Sequence, residues 1–180
     1  VVSQLKVNEI IKQSGSSITI GESGDTITLP STSTLTNFPE NTPAFRAYLG
    51  SDQSQTANVN TKINYNTVDF NIGSGFDNVN YKFLPNVAGK YYITVAVGID
   101  GADADKYFRA YIYKNGSEYS FSSWGISNDA DEGGVGQHSD IVDLNGSTDH
   151  IEGYVRYGGT DNITGQTGKT FFSAYKLIGA

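Results

Sequence analysis

The stretch from Tyr81 to Ile99 limits the possible folds of this chain more than any other. Beyond Gly89 the odd positions Tyr91, Ile93, Val95, Val97 and Ile99 are apolar or aromatic, and the even positions Tyr92, Thr94, Ala96 and Gly98 are smaller or partly polar. Successive side chains leave a strand on opposite faces, so this alternation predicts a half-buried strand over Lys90–Ile99. Pro85 and Gly89 end the segment before it and turn the chain into it.

Similar signals recur along the chain. Ala44–Leu49 reads as a first strand, with Phe45, Ala47 and Leu49 on one face and Tyr48 on the other. Segments around Ile63–Tyr65, Thr67–Phe70 and Tyr81–Leu84 follow it. Tyr107–Lys114 ends in Asn115-Gly116, two residues that tolerate positive φ, and Glu118–Ser123 supplies the partner of that hairpin. Gln137–Leu144, His150–Tyr157 and Thr170–Ile178 complete the series. Strands at this spacing, with turns between them and no convincing helix, predict an all-β antiparallel sandwich or jelly roll.

Composition agrees and narrows function. Among 180 residues there are 21 Gly and 12 Tyr, which suits strands and turns. Cysteine is absent, which excludes disulfides and thiolate metal sites. A net charge of −7 argues against nucleic acid as a partner. No apolar run approaches the roughly 20 residues that span a bilayer, so no membrane insertion is expected. The first residues lack the basic-then-apolar layout of a secretory signal.

The front of the chain is different in kind. Leu5, Val7, Ile10 and Ile11 fit a short helix or an extended arm equally well. Ser17–Leu29 alternates around a Gly/Ser/Asp turn, as a hairpin or one corner of a repeating β-shaft does. Residues 30–42, rich in Ser, Thr, Asn and Pro, read as a linker. The expected division is therefore an arm over 1–42 and a globular head over 43–180.

The head carries an ordered set of features. Phe45 is followed by Asn64–Phe70, Gly75-Phe76-Asp77, Tyr81-Lys82-Phe83 and the run from Pro85 through Gly89 to Tyr91-Tyr92. Lys114-Asn115-Gly116, Asp143-Leu144-Asn145-Gly146 and Thr170–Leu177 come next. This succession resembles the globular head of the complement first-component-q and tumour-necrosis-factor-like superfamily over about residues 43–180. There a Phe, Pro, Gly, Tyr-Tyr order opens a central strand, Lys-Asn-Gly forms a hairpin, and Phe-Ser-Gly-Phe-like residues close the domain. Ala174 stands where the family often has Gly. The resemblance implies a ten-strand jelly roll associating as a homotrimer, with the first and last strands near the threefold axis.

In the closing strand Phe171, Tyr175 and Leu177 share one face, and Phe172, Ala174 and Ile178 share the other. Apolar side chains on both faces call for two buried surfaces, the sandwich core and a neighbouring subunit. Phe45, Tyr48, Phe171, Phe172 and Tyr175 are accordingly the expected trimer-interface residues. The competing reading is a strand wholly inside one subunit. Ser3–Ile10 looks like the opening of small virion proteins of tailed bacteriophages. That likeness implies an arm that binds other virion proteins or trimerises the chain, with the head facing outward.

Catalysis finds little support in the sequence. Gln137-His138-Ser139-Asp140 holds Ser, His and Asp, but on a strand His138 and Ser139 point to opposite faces, which a triad forbids. No metal-spaced His pair, phosphate loop or nucleophile elbow occurs. Two acidic loops stand out, Asp100–Asp105 and Asn128–Glu132. Calcium held by Asp100, Asp103 and Asp105 competes there with plain solvated turns, and the spacing follows no calcium-loop motif. Gly133, Gly134 and Gly136 give the second loop conformational freedom. Tyr107, Tyr111 and Tyr113 share a strand face with Arg109, near Tyr119, Phe121 and Trp124; exposed, they would suit stacking on a sugar or contacting a protein, but filling of the core is the expected role for most of them. Of the sequons at Asn115, Asn145 and Asn162, the first two have Gly next and read as turns.

Two functional readings follow. The first is a non-enzymatic trimeric virion component, either a capsid decoration or a tail-fibre knob that stabilises the particle or attaches to the host. The second is a secreted or cell-surface module that recognises glycan or protein through its loop tips.

Overall fold

The computed structural model describes residues 40–101, 105–125 and 133–178, together with 23, 24, 26 and 28. The chain divides into two compact units, Val1–Phe38 and Pro39–Ala180. In the first, Ser23 and Gly24 form a turn, with Gly24 at φ 98. Apart from Thr26 and Thr28, the rest of the expected hairpin, and the arm before it, lie outside the described residues.

The second unit is all β among its described residues, an antiparallel two-sheet jelly-roll sandwich. Its strands are β1 Ala44–Tyr48, β2 Thr61–Lys62, β3 Thr67–Ile72, β4 Phe76–Asp77, β5 Lys82–Phe83, β6 Gly89–Ile99, β7 Tyr107–Lys114, β8 Ser117–Gly125, β9 Gly134–Leu144, β10 Ile151–Tyr157 and β11 Phe171–Lys176. The first sheet has the order β3-β1-β11-β6-β9, and the second runs β4-β5-β10-β7-β8 with β2 also on β10. Among the described residues there are eleven strands where ten were expected, the short β4 and β5 pairing Phe76 with Phe83 and Asp77 with Lys82. Ile63–Tyr65 is not a strand, yet Ile63 and Tyr65 are fully buried.

The odd positions of β6 are the spine of the core. Tyr91, Ile93, Val95, Val97 and Ile99 are buried, as the alternation predicts. Facing them, β7 contributes Phe108, Ala110 and Ile112, and β10 contributes Ile151, Val155 and Tyr157. One end of the core is aromatic. The Phe45 ring stacks on Phe76 at 4.5 Å and on Phe83 at 4.8 Å, and meets Phe172 edge-on at 4.8 Å. Such pairs add about 0.5–1.5 kcal/mol each beyond the area they bury. The β7–β8 hairpin turns where expected, with Asn115 at φ 54 and Gly116 at φ 76. Asn145 holds its own turn by accepting the backbone N–H groups of Ser147, Thr148 and Asp149, each at 3.0 Å.

The two sheets meet again at their far edges, β8 and β9. Gly134 and Gly136 are strand residues there, so the expected loop freedom is replaced by close packing. A Cβ on Gly136 would lie 2.6 Å from both the Phe108 and Trp124 rings, which stack on each other at 5.3 Å. Beside them His138 points between the sheets and not to the surface. Its Nδ1 is 2.8 Å from Ser122 Oγ and its Nε2 is 2.8 Å from Ser120 Oγ. Burial holds the His138 pKa below its ordinary 6.5, against an opposing pull from Asp140.

Two predictions follow from this seam. Gly136→Ala should lower stability by about 1–3 kcal/mol through overpacking, measured by urea unfolding; unchanged stability would mean the rings have room to shift. For His138, the unfolded chain takes up its proton first as pH falls. The stability this residue contributes is therefore complete above about pH 6.5 and declines as pH drops through the lowered folded value. In His138→Gln the stability lost between about pH 7.5 and about pH 5.5 should be smaller than in the parent.

Candidate functional site

The outer face of the first sheet carries a row of exposed apolar side chains. Register places Ile72, Ala44, Tyr175, Tyr92 and Ile141 in one row that crosses all five strands. Ile72 is 54% exposed, Ile141 50% and Tyr175 42%. The Tyr92 and Tyr175 rings lie 5.6 Å apart, so the row has an aromatic centre. A second row, Phe70, Arg46, Ser173, Thr94 and Ser139, is mostly polar. Three of its four polar residues have side-chain partners. Arg46 pairs with Asp69, and Thr94 and Ser139 share a hydroxyl hydrogen bond of 2.9 Å. The third row holds Thr67, Tyr48, Phe171, Ala96 and Gln137, with the Arg46 guanidinium 4.7 Å from the centre of the Phe171 ring.

The expected interface residues separate on this basis. Tyr48, Phe171 and Tyr175 point outward on the first sheet. Phe45 and Phe172 do not: both are fully buried against Phe76 from the second sheet. The reason is the pleat, since in β1 and β11 the residues beside Tyr48 and Phe171 must face inward. Phe45 and Phe172 are core residues of the sandwich, with no surface left to meet another chain.

Other candidates fall elsewhere. Asp100 and Asp105 border the loop after β6, while Asp103 lies outside the described residues, as does Asn128–Glu132. The Ser-His-Asp run makes no triad. His138 is held between Ser120 and Ser122, whereas Ser139 faces outward to Thr94. His150 sits in a turn, where Asn115 Oδ1 accepts its backbone N–H at 2.9 Å.

The aromatics of β7 also depart from expectation. Phe108 and Trp124 fill the core seam, but Tyr107, Tyr111 and Tyr113 lie on the outer face of the second sheet. There Tyr113 stacks on Tyr154 at 4.0 Å, and Tyr111 meets Phe121 at 5.1 Å. Tyr111 is nearly fully buried by these neighbours without entering the core.

Sequence reasoning missed Ile72, Tyr92 and Ile141 as surface residues of one row. Alternation alone places each on an outward face, but which of them stand side by side depends on strand order and register.

A cleft of about 290 Å³ is lined by residues that include Ser51, Asp52, Gln53, Asn64 and Tyr81. Two of its polar groups serve the fold: Gln53 Oε1 accepts the Asn64 N–H, and Asp52 Oδ1 accepts the Gly165 N–H. That leaves little chemistry for a ligand.

No family model matches the chain, and no curated protein matches it in sequence. Its fold does have solved counterparts. Murine APRIL, in a crystal structure at pH 5.0, superposes with a TM-score of 0.59 at 13% identity, covering 74% of this chain and 98% of that one. Eiger TNF from S. frugiperda gives 0.56 at 13% identity, covering 76% and 93%. At this identity the likeness is one of fold, the tumour-necrosis-factor-like jelly roll.

Proposed function

We propose that this protein is a non-enzymatic homotrimeric binding module in which three copies bury the outer face of the first sheet. The carrying observation is the Ile72–Tyr175–Tyr92–Ile141 row, an apolar belt that crosses all five strands beside a row in which Arg46, Thr94 and Ser139 are already paired. Apolar area removed from water contributes about 25 cal/mol per Å². The Arg46–Asp69 pair can enter such an interface with each charge matched, which avoids the cost of an unpaired buried ion. Tyr48 and Phe171 extend the same surface. The threefold arrangement rests on the superfamily resemblance, which sets the first and last strands near the axis.

In the finer reading the module is a bacteriophage virion component. Residues 1–42 attach it to other virion proteins, and the head faces outward as a capsid decoration or tail-fibre knob that stabilises the particle or meets the host surface.

The decisive measurement is native mass in solution by light scattering. The full chain should have the mass of three copies, and a chain starting at residue 43 should have the same stoichiometry. Tyr175→Asp should be monomeric with an unchanged far-ultraviolet spectrum, because the charge lands on an exposed position. Phe172→Ala should instead lose about 3–5 kcal/mol of folding stability, as a truncated core aromatic does. A Tyr175→Asp protein that stays trimeric removes the outer face as the interface.

A further inference from the structure

The outer face of the second sheet holds a cationic pair that the fold leaves unmatched. Arg109 on β7 and Arg156 on β10 are direct cross-strand partners on that face. Like charges in this position repel. Among the described residues the ion pairs are Arg46–Asp69, Lys62–Glu152 and Lys114–Asp149, so neither arginine has a carboxylate partner. Glu152, the acidic residue closest in register on β10, is occupied by Lys62. Glu118 acts on Arg109 through space only. Arg156 Nε is buried with no hydrogen-bond partner.

Arg109 is nevertheless held in place. Its guanidinium lies 5.0 Å from the centre of the Tyr107 ring and 5.1 Å from that of Phe121. Nε is 3.4 Å from Ser123 Oγ, and Nη1 is 3.5 Å from the Tyr111 hydroxyl. Next to it on β8, Phe121 is 43% exposed and Tyr119 48% exposed. A held guanidinium beside an open aromatic ring, with a second arginine directly across the strand pair, is a two-part recognition surface.

We propose that this face binds a carboxylated saccharide, its sugar ring on Phe121 and Tyr119 and its carboxylate on Arg109 and Arg156. The planar guanidinium fork matches a carboxylate in two parallel hydrogen bonds, and an anion between the two arginines removes their repulsion. Aromatic rings offer a flat apolar face to the C–H side of a sugar. The net charge of −7 disfavours densely charged polyanions, which selects a ligand whose charges are spaced one per sugar unit. The site lies on the other sheet from the proposed trimer face, so it stands or falls separately.

Calorimetric titration of the full chain at low salt tests this with three probes: an oligogalacturonate, a neutral oligosaccharide of equal length, and an oligoglutamate. The oligogalacturonate should bind at least about tenfold more tightly than either other probe. It should also raise the melting temperature of the parent protein. Arg156→Gln relieves the like-charge contact, so it should melt no lower than the parent while binding about tenfold or more weakly. Phe121 lies on the edge strand β8, so Phe121→Ala keeps both arginines and should weaken the oligogalacturonate more than the oligoglutamate. No saturable oligogalacturonate binding, equal binding of the oligoglutamate, or unchanged binding in Arg156→Gln or in Phe121→Ala would each overturn the proposal.

Discussion

The fold depends first on the aromatic contact among Phe45, Phe76, Phe83 and Phe172. Phe45 and Phe172 come from the adjacent strands β1 and β11 of one sheet, and Phe76 and Phe83 come from the other sheet. One cluster therefore joins early and late parts of the chain and also fixes the sheets face to face. Tyr65 and Tyr91 pack around it, Tyr65 against Phe172 and Tyr91 against Phe83. The large rings make the core at this end wide. At the opposite end the same sheets are drawn together by Trp124, Phe108 and a glycine that leaves them room.

Much of this architecture is legible in the chain itself. Period-two alternation locates β1, β6, β7 and β11 to within a residue or two, and it correctly buries the odd positions of β6. The Asn115-Gly116 turn follows from the tolerance of both residues for positive φ. The interface assignments are where local pattern runs out. In Phe171-Phe172 both rings look equally available, and only the pairing Phe172↔Ala47 and Phe171↔Tyr48 shows which ring joins the sandwich. Tyr107, Tyr111 and Tyr113 mislead for a related reason. Their number suggests core filling, but they cover one another on an outer face, and a composition argument cannot separate those outcomes. His138 illustrates the converse, a polar residue in a polar run that is turned inward because serines across the gap meet both ring nitrogens.

The two outer faces differ in chemistry. On the first sheet the apolar row is uncharged, and Arg46, Thr94 and Ser139 in the row beside it are paired, which suits a dry, lasting contact. On the second, aromatics alternate with guanidinium groups, and the charges are left open. In the proposed reading the molecule assembles through the first face and meets a different partner through the second, since neither surface uses the other's residues.

The position of β11 has a consequence for synthesis. It lies between β1 and β6, in the middle of the first sheet, although it is last in chain order among the described strands. Until it emerges from the ribosome, β1 and β6 each present an open hydrogen-bonding edge, and the ring of Phe45 lacks Phe172 beside it. The nascent chain must therefore wait with two unpaired strand edges exposed, a state open to mispairing with its neighbours on the same messenger. Insertion of one late strand converts both edges into interior ladder at once, so the burden on cellular chaperones falls on the interval just before it arrives.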